Sequence, residues 1–216
     1  MTAKTTDNKA FWSRMAGLYG PFIQKSAAPV YREVCAEISA ALRPDMDVLE
    51  LACGSGQFSF PLAEHVQSWE ATDYSPEMIA QAHRKAPGGN LRFSVADAAA
   101  LPYAPQTFDA VVIANALHIL PTPEQAMAEI ARVLKPGGLL FAPTFVQEEN
   151  AGRSLGIRLI SALGFRTCHS WNAGELLAFV SQNGFSVSSH RLLSGGLSPL
   201  CSLTATLSPE ADLPDL

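Results

Sequence analysis

Residues 48–56, Val-Leu-Glu-Leu-Ala-Cys-Gly-Ser-Gly, constrain the fold of this chain more than any other segment. The run 48–51 is short and apolar, reads as a buried strand, and empties into a turn of small residues, after which a helix is expected over 57–66. A strand that turns through glycines into a helix brings backbone N–H groups within reach of a ligand, because no Cβ blocks the approach. One such unit cannot close a core, so the rest of the chain has to supply more strands and helices.

Further strands are expected over 69–72, 91–95, 108–113 and 139–144, the one over 108–113 apolar enough on both faces to be central. Ser75-Pro76-Glu77 offers an N-cap, a proline at the first helical position and an early acid, and Pro87-Gly88-Gly89-Asn90 ends the helix they start. Thr122-Pro123-Glu124-Gln125 has capping-box spacing, with Met127, Ile130 and Leu134 following at helical intervals. Lys135-Pro136-Gly137-Gly138 reads as a turn before the fifth strand. A second capping box, Asn172 to Glu175, opens a helix running to Asn183-Gly184, and residues 185–192 and 200–206 are two further β-type segments. Upstream, Val30, Val34, Ile38 and Leu42 make one stripe of a helix that ends before Arg43-Pro44-Asp45. Strands alternating with helices imply βαβ units in an α/β sheet covered on both faces, with ligands beyond the carboxyl ends of the strands where strand order reverses.

Composition narrows the function. The 216 residues suit one domain, and 15 Lys and Arg against 20 Asp and Glu leave a net charge of −5, so no basic nucleic-acid footprint is present. Charged residues are only 16%, against about 25% in an average domain, and mean hydropathy is +0.12, which excludes global disorder. No run approaches a membrane span and residues 1–15 lack a secretory apolar stretch, so a cytoplasmic protein without stable membrane insertion is expected. The cysteines at 35, 53, 168 and 201 match neither a zinc nor a redox spacing, and no metal site is expected.

Dinucleotide sites use the same turn physics, but their GxGxxG fingerprint would need glycine at 59, where this chain has Ser59. The segment Glu50-x-Ala52-x-Gly54-x-Gly56 resembles motif I of the class I S-adenosylmethionine-dependent methyltransferases, (D/E)xGxGxG, with Ala52 where the family usually has glycine. Asp73 after the second strand, Asp97-Ala98 after the third, Leu101-Pro102-Tyr103, Phe108-Asp109 and Arg132-Val133-Leu134-Lys135-Pro136-Gly137-Gly138 extend the resemblance over about residues 45–145. It is most similar to the small UbiE-like group, also called methyltransferase type 11.

That resemblance implies a Rossmann-like, doubly wound, mostly parallel seven-stranded sheet in one domain, 1–216. Residues 1–46 would be an N-terminal helical lid, 47–145 the cofactor-binding half and 146–216 the substrate-side half. The implied cofactor is S-adenosyl-L-methionine, leaving as S-adenosyl-L-homocysteine. Glu50 would lie near its amino group, Ala52, Cys53, Gly54 and Gly56 would wrap methionine and ribose, and Asp73 would take both ribose hydroxyls, as two acceptor oxygens suit a vicinal diol. Tyr74 and Met78 would line the adenine, Asp97-Ala98 would recognise it, and Asn115 would offer its backbone carbonyl beside the reacting methyl. Tyr19 resembles the aromatic of the family's lid.

His118, one turn past the fourth strand, is the candidate general base, and the alternative is a histidine that packs or caps. His169 and Trp171 fall where the family often places its substrate cap. Phe11, Trp12, Phe22, Phe165 and Trp171 favour a small, partly apolar methyl acceptor, with a quinone precursor or phospholipid amine as alternatives. A catalytically inert cofactor-binding module is the reading from another class. Oligomeric state is not legible.

Overall fold

The computed structural model describes residues 28–86, 88–147, 167–194 and 198–208. The expected lid aromatics Phe11, Trp12, Tyr19 and Phe22, and Phe165, lie outside them. Helix α1 covers 28–41 and is followed by strand β1 (Asp47–Leu51). Next come helix α2 (Ser59–Leu62) with a 3-10 turn (Ala63–His65), β2 (Ser68–Asp73), α3 (Pro76–His83), β3 (Leu91–Val95) and β4 (Phe108–Ile113). A 3-10 turn (Leu117–Ile119), α4 (Pro123–Val133), β5 (Leu134–Phe141), β6 (Thr144–Phe145), α5 (Ala173–Gln182), β7 (Phe185–Leu193) and β8 (Leu200–Leu207) complete the order.

The strands form one sheet in the order β3-β2-β1-β4-β5-β8, with β7 on the far side of β8. The first five pair in parallel, and β8 runs antiparallel to its neighbours. The two-residue β6 prolongs the β5 edge of β8, so the sheet has seven strand positions, as expected. Strand order reverses between β1 and β4, and their carboxyl ends frame the site.

Side chains of the central strands alternate between two cores. Val48, Ala110 and Val112 pack with Val30, Val34 and Ile38 of α1, Leu62 of α2 and Ile79 and Ala82 of α3. Leu49, Leu51, Val111 and Ile113 pack with Met127 and Ile130 of α4 and Leu176 and Val180 of α5. Period two along strands buried on both faces is what a doubly wound sheet requires. Residues 28–41 therefore belong to the core beneath the sheet.

Three local expectations are corrected. The helix over 57–66 is a turn, then one turn of α2, then the 3-10 turn; Phe58 at its start offers no capping side chain, and Asn90 Nδ2 donates to the carbonyls of Ala63 and Val66 at 2.7 and 2.8 Å, closing its far end. Thr122 caps nothing through its side chain, because its hydroxyl donates to Gln125 Oε1 instead; the capping box at Asn172 and Glu175 forms in full, and Ser75 Oγ accepts from Met78 N. The turn at 135–138 is absorbed into β5 as a bulge standing opposite Asp109, whose Oδ2 accepts from Lys135 Nζ at 2.8 Å and Asp47 N at 2.9 Å.

Candidate active site

Glu50, the penultimate residue of β1, is 1% exposed. Its Oε2 accepts from Ser59 Oγ at 2.5 Å and Trp69 Nε1 at 2.8 Å, so the carboxyl is pinned beneath the turn. Burial pushes it up to about 7, against the pull of those two donors. The chain then leaves β1 with Ala52 at φ +54°, Gly54 at +55° and Gly56 at +90°. Left-handed conformations favour glycine, and Ala52 adopts one without being glycine. A Cβ on Gly56 would lie 2.5 Å from a ring carbon of Phe60, whereas one on Gly54 would meet nothing within 4 Å. The turn is therefore closed below by Phe60 and open above at Gly54. Cys53 contributes backbone only, since its thiol lies in the core, where burial raises its pKa.

The end of β2 is tied to that turn. Asp73 Oδ2 accepts from Gly54 N and Oδ1 from Ser75 N, each at 2.8 Å, while burial raises its pKa against both bonds. Tyr74 is 52% exposed beside it, and Met78 is buried in the first turn of α3. Ala96 N donates to Asp73 O, which brings the end of β3 alongside. Asp97 is exposed and holds a tight turn, Oδ1 accepting from Ala99 N at 2.9 Å, with Ala98 partly buried behind it.

Beyond β4, Asn115 also sits at positive φ, +54°. Its N–H donates to Pro143 O, and its Nδ2 donates to the hydroxyl of Tyr31, whose ring packs on Phe58 of the glycine turn. Its Oδ1 is buried and unpaired. His118 lies in the following 3-10 turn, 8% exposed, with Nδ1 likewise unpaired. Burial and then the neighbouring His169 push its pKa down to about 4, so the ring is neutral at pH 7. The segment 167–172 folds back here, Cys168 N and His169 N both donating to His118 O at 3.0 Å. His169 stacks on Trp171, and Trp171 on Phe179.

The predicted residues at 50–56, 73–78, 97–98, 115–118 and 169–171 thus gather at one end of the sheet. Sequence reasoning did not single out Ser59 and Trp69 as donors to Glu50, Tyr31 as the partner of Asn115, Phe60 beneath Gly56, or Phe179 beyond Trp171. Each is an apolar or neutral residue in an element read as scaffold, with no signal of its own.

A methyltransferase-domain family model matches residues 48–138. A demethylmenaquinone methyltransferase of Renibacterium salmoninarum is 32% identical over 173 residues, covering 71% of this chain and 72% of that protein. A ubiquinone/menaquinone biosynthesis C-methyltransferase UbiE of Cereibacter sphaeroides is 34% identical over 116 residues, 51% of this chain and 46% of that one. Among solved structures, the magnesium protoporphyrin IX methyltransferase ChlM of Synechocystis, with bound SAH, superposes with a TM-score of 0.69 at 22% identity, over 93% of this chain and 96% of its own. The fold and cradle define a class I methyltransferase domain, and the chain belongs to the S-adenosylmethionine-dependent methyltransferases, in their UbiE-like group.

The residues present suit that cofactor. Open space above Gly54 leaves room for a ligand against the backbone, the two oxygens of Asp73 stand at its edge, and Asn115 Oδ1 is an acceptor that an ammonium donor would satisfy. No helix among the described residues is long and apolar enough to cross a membrane, and no group of three or more metal-binding side chains occurs among them.

Proposed function

We propose that this enzyme methylates a small, partly apolar molecule held between the 3-10 turn at Leu117–Ile119 and the His169–Trp171–Phe179 stack. What supports this most directly is that stack, tied through its backbone to His118 in the turn that follows β4. When bound, S-adenosylmethionine supplies an electrophilic methyl group on a sulfonium. In this reading Asp73 holds the ribose, the backbone of Ala52, Cys53, Gly54 and Gly56 wraps the methionine end, and Glu50 fixes the turn from below. Tyr74, Met78, Asp97 and Ala98 bound the adenine, Asn115 takes the amino group, and Tyr19 would belong to the lid.

Aligning an acceptor with the methyl group is most of the chemistry, since well-oriented reactants gain roughly 7–11 kcal/mol from positioning alone. His118 is the candidate catalytic residue: as a neutral imidazole it can accept a hydrogen bond, and then the proton, from an acceptor that carries one. His118→Ala is expected to slow turnover by roughly 100-fold with cofactor affinity unchanged; undiminished turnover would leave positioning as the whole mechanism.

A quinone-type ring is the second reading, favoured by the demethylmenaquinone and UbiE relatives. Labelled S-adenosylmethionine offered with phenols, thiols, amines and a demethylated naphthoquinol tests both. Transfer to a phenol or the naphthoquinol is expected. If S-adenosylhomocysteine binds and no acceptor is methylated, the chain is a binding module and the acceptor reading is wrong.

A further inference from the structure

Asn115 follows β4 with its backbone already committed: φ is +54°, a left-handed conformation that Asn tolerates better than most residues, and its N–H donates to Pro143 O at 2.8 Å. This fixes where the side chain starts, and leaves open which end of its amide is offered to a ligand. The two ends have nearly the same shape and opposite chemistry, one a donor and one an acceptor, so a neighbour has to choose between them. That neighbour is Tyr31, 84 positions upstream on α1, whose hydroxyl accepts from Asn115 Nδ2 at 3.2 Å. With Nδ2 engaged, the oxygen is the end left over, and Oδ1 is buried without a partner. A buried acceptor in that state is costly until a donor reaches it.

Tyr31 is itself held in place. It is buried with Val30 and Val34 in the core beneath the sheet, and its ring packs on Phe58, two residues past Gly56, with centroids 5.3 Å apart. A phenol fixed on a core helix and against the glycine turn sets its hydroxyl relative to both the turn and the end of β4.

We propose that Tyr31 is a positioning residue: by accepting from Asn115 Nδ2 it presents Asn115 Oδ1 to the amino group of the cofactor, and so makes the site select a methionine tail that carries an ammonium. The proposal rests on the methyltransferase reading above, with Asn115 as the amino-group contact, and adds a residue of α1 to the cofactor site. An ammonium only donates, so it pairs with an amide oxygen and finds no lone pair on an amide nitrogen. Losing the hydroxyl frees the amide to turn over, which penalises the amine of the ligand and leaves its adenosine end untouched.

Two ligands that differ at one group test this: S-adenosylhomocysteine and its deamino analogue, in which hydrogen replaces the ammonium, each titrated calorimetrically into the full chain. The wild type is expected to prefer S-adenosylhomocysteine by about tenfold or more, the worth of a charge-assisted hydrogen bond. Tyr31→Phe keeps the ring on Phe58 and removes only the hydroxyl; it is expected to weaken S-adenosylhomocysteine by about fivefold and to leave the deamino analogue unchanged. Asn115→Gly, which suits the positive φ, is expected to abolish most of the preference, and adding Tyr31→Phe to it should weaken S-adenosylhomocysteine no further, because the hydroxyl acts only through the amide. Equal weakening of both ligands by Tyr31→Phe would mean that the hydroxyl serves packing alone. That result, unchanged affinity for both ligands, additive losses in the double variant, or a wild type without preference for the amine would overturn the assignment. Failure of S-adenosylhomocysteine to bind the wild type would instead sink the underlying methyltransferase site.

Discussion

Two residues carry opposite lessons about the cradle. Asp73 spends one lone pair on each oxygen holding Gly54 N and Ser75 N, which fixes the carboxylate at the open edge of the turn and leaves each oxygen able to accept again. Asp73→Ala is expected to weaken S-adenosylhomocysteine binding by about 2–4 kcal/mol in calorimetry, through two lost charge-assisted hydrogen bonds. An unchanged dissociation constant would remove Asp73 from the site. Ala52 is the converse, a side chain where none is wanted: at φ +54° its Cβ costs roughly 1–2 kcal/mol, partly offset by the greater chain entropy that glycine loses on folding. Ala52→Gly is therefore expected to stabilise the protein by about 0.5–1 kcal/mol in chemical denaturation and to leave S-adenosylhomocysteine affinity intact. A loss of stability would mean that the methyl group packs usefully against its neighbours.

At the scale of elements, the loop after β3 is held by α4. Arg132 pairs with both oxygens of Glu129 at 2.6 and 2.7 Å while donating to the carbonyls of Tyr103 and Leu101, and Glu129 Oε2 accepts from Leu101 N. This fork fixes the segment that begins at Asp97-Ala98, so Arg132→Ala is expected to cost about 2 kcal/mol of stability and to raise KM for S-adenosylmethionine several-fold with kcat little changed. Arg132→Lys should not rescue it, because a single ammonium cannot reproduce the fork. If KM is unmoved while stability falls, the loop is scaffold only. Sequence reading caught Arg132 as part of a motif and not as a clamp, because the loop carbonyls it holds, those of Tyr103 and Leu101, lie 29 and 31 positions upstream. What it did read well were signals written locally: the apolar runs of β1 and β4, Ser75 with Pro76, and the Asn172 box. Thr122 failed because the same spacing also permits a side-chain bond to Gln125, and the bulge at 135–138 depends on Asp109 across the sheet.

The whole molecule feels buried titrations of opposite sign at Glu50 and His118, with Asp73 shifted in the same direction as Glu50. Glu50 is raised from 4.5 to about 7, so between those values the folded state holds a proton that the unfolded chain has released, and stability falls by about 3 kcal/mol as pH rises through that window. His118 is lowered from 6.5 to about 4, so the unfolded chain takes up a proton that the folded state refuses, and stability rises by a similar amount as pH climbs from 4 to 6.5. Over most of pH 4.5–6.5 the two nearly cancel. Asp109 and Glu129, lowered by Asp47 N with Lys135 and by Arg132, favour folding toward higher pH, but they are common to every variant and drop out of differences. Glu50→Gln, which keeps an acceptor for Ser59 and Trp69, should gain on the wild type progressively from pH 4.5 to 7. His118→Phe should lose ground progressively from pH 4 to 6.5. Urea unfolding across that range reads both slopes. Difference curves flat in pH for both variants would show that neither group titrates abnormally, and with that the picture of a neutral imidazole at the acceptor wall would lose its electrostatic support.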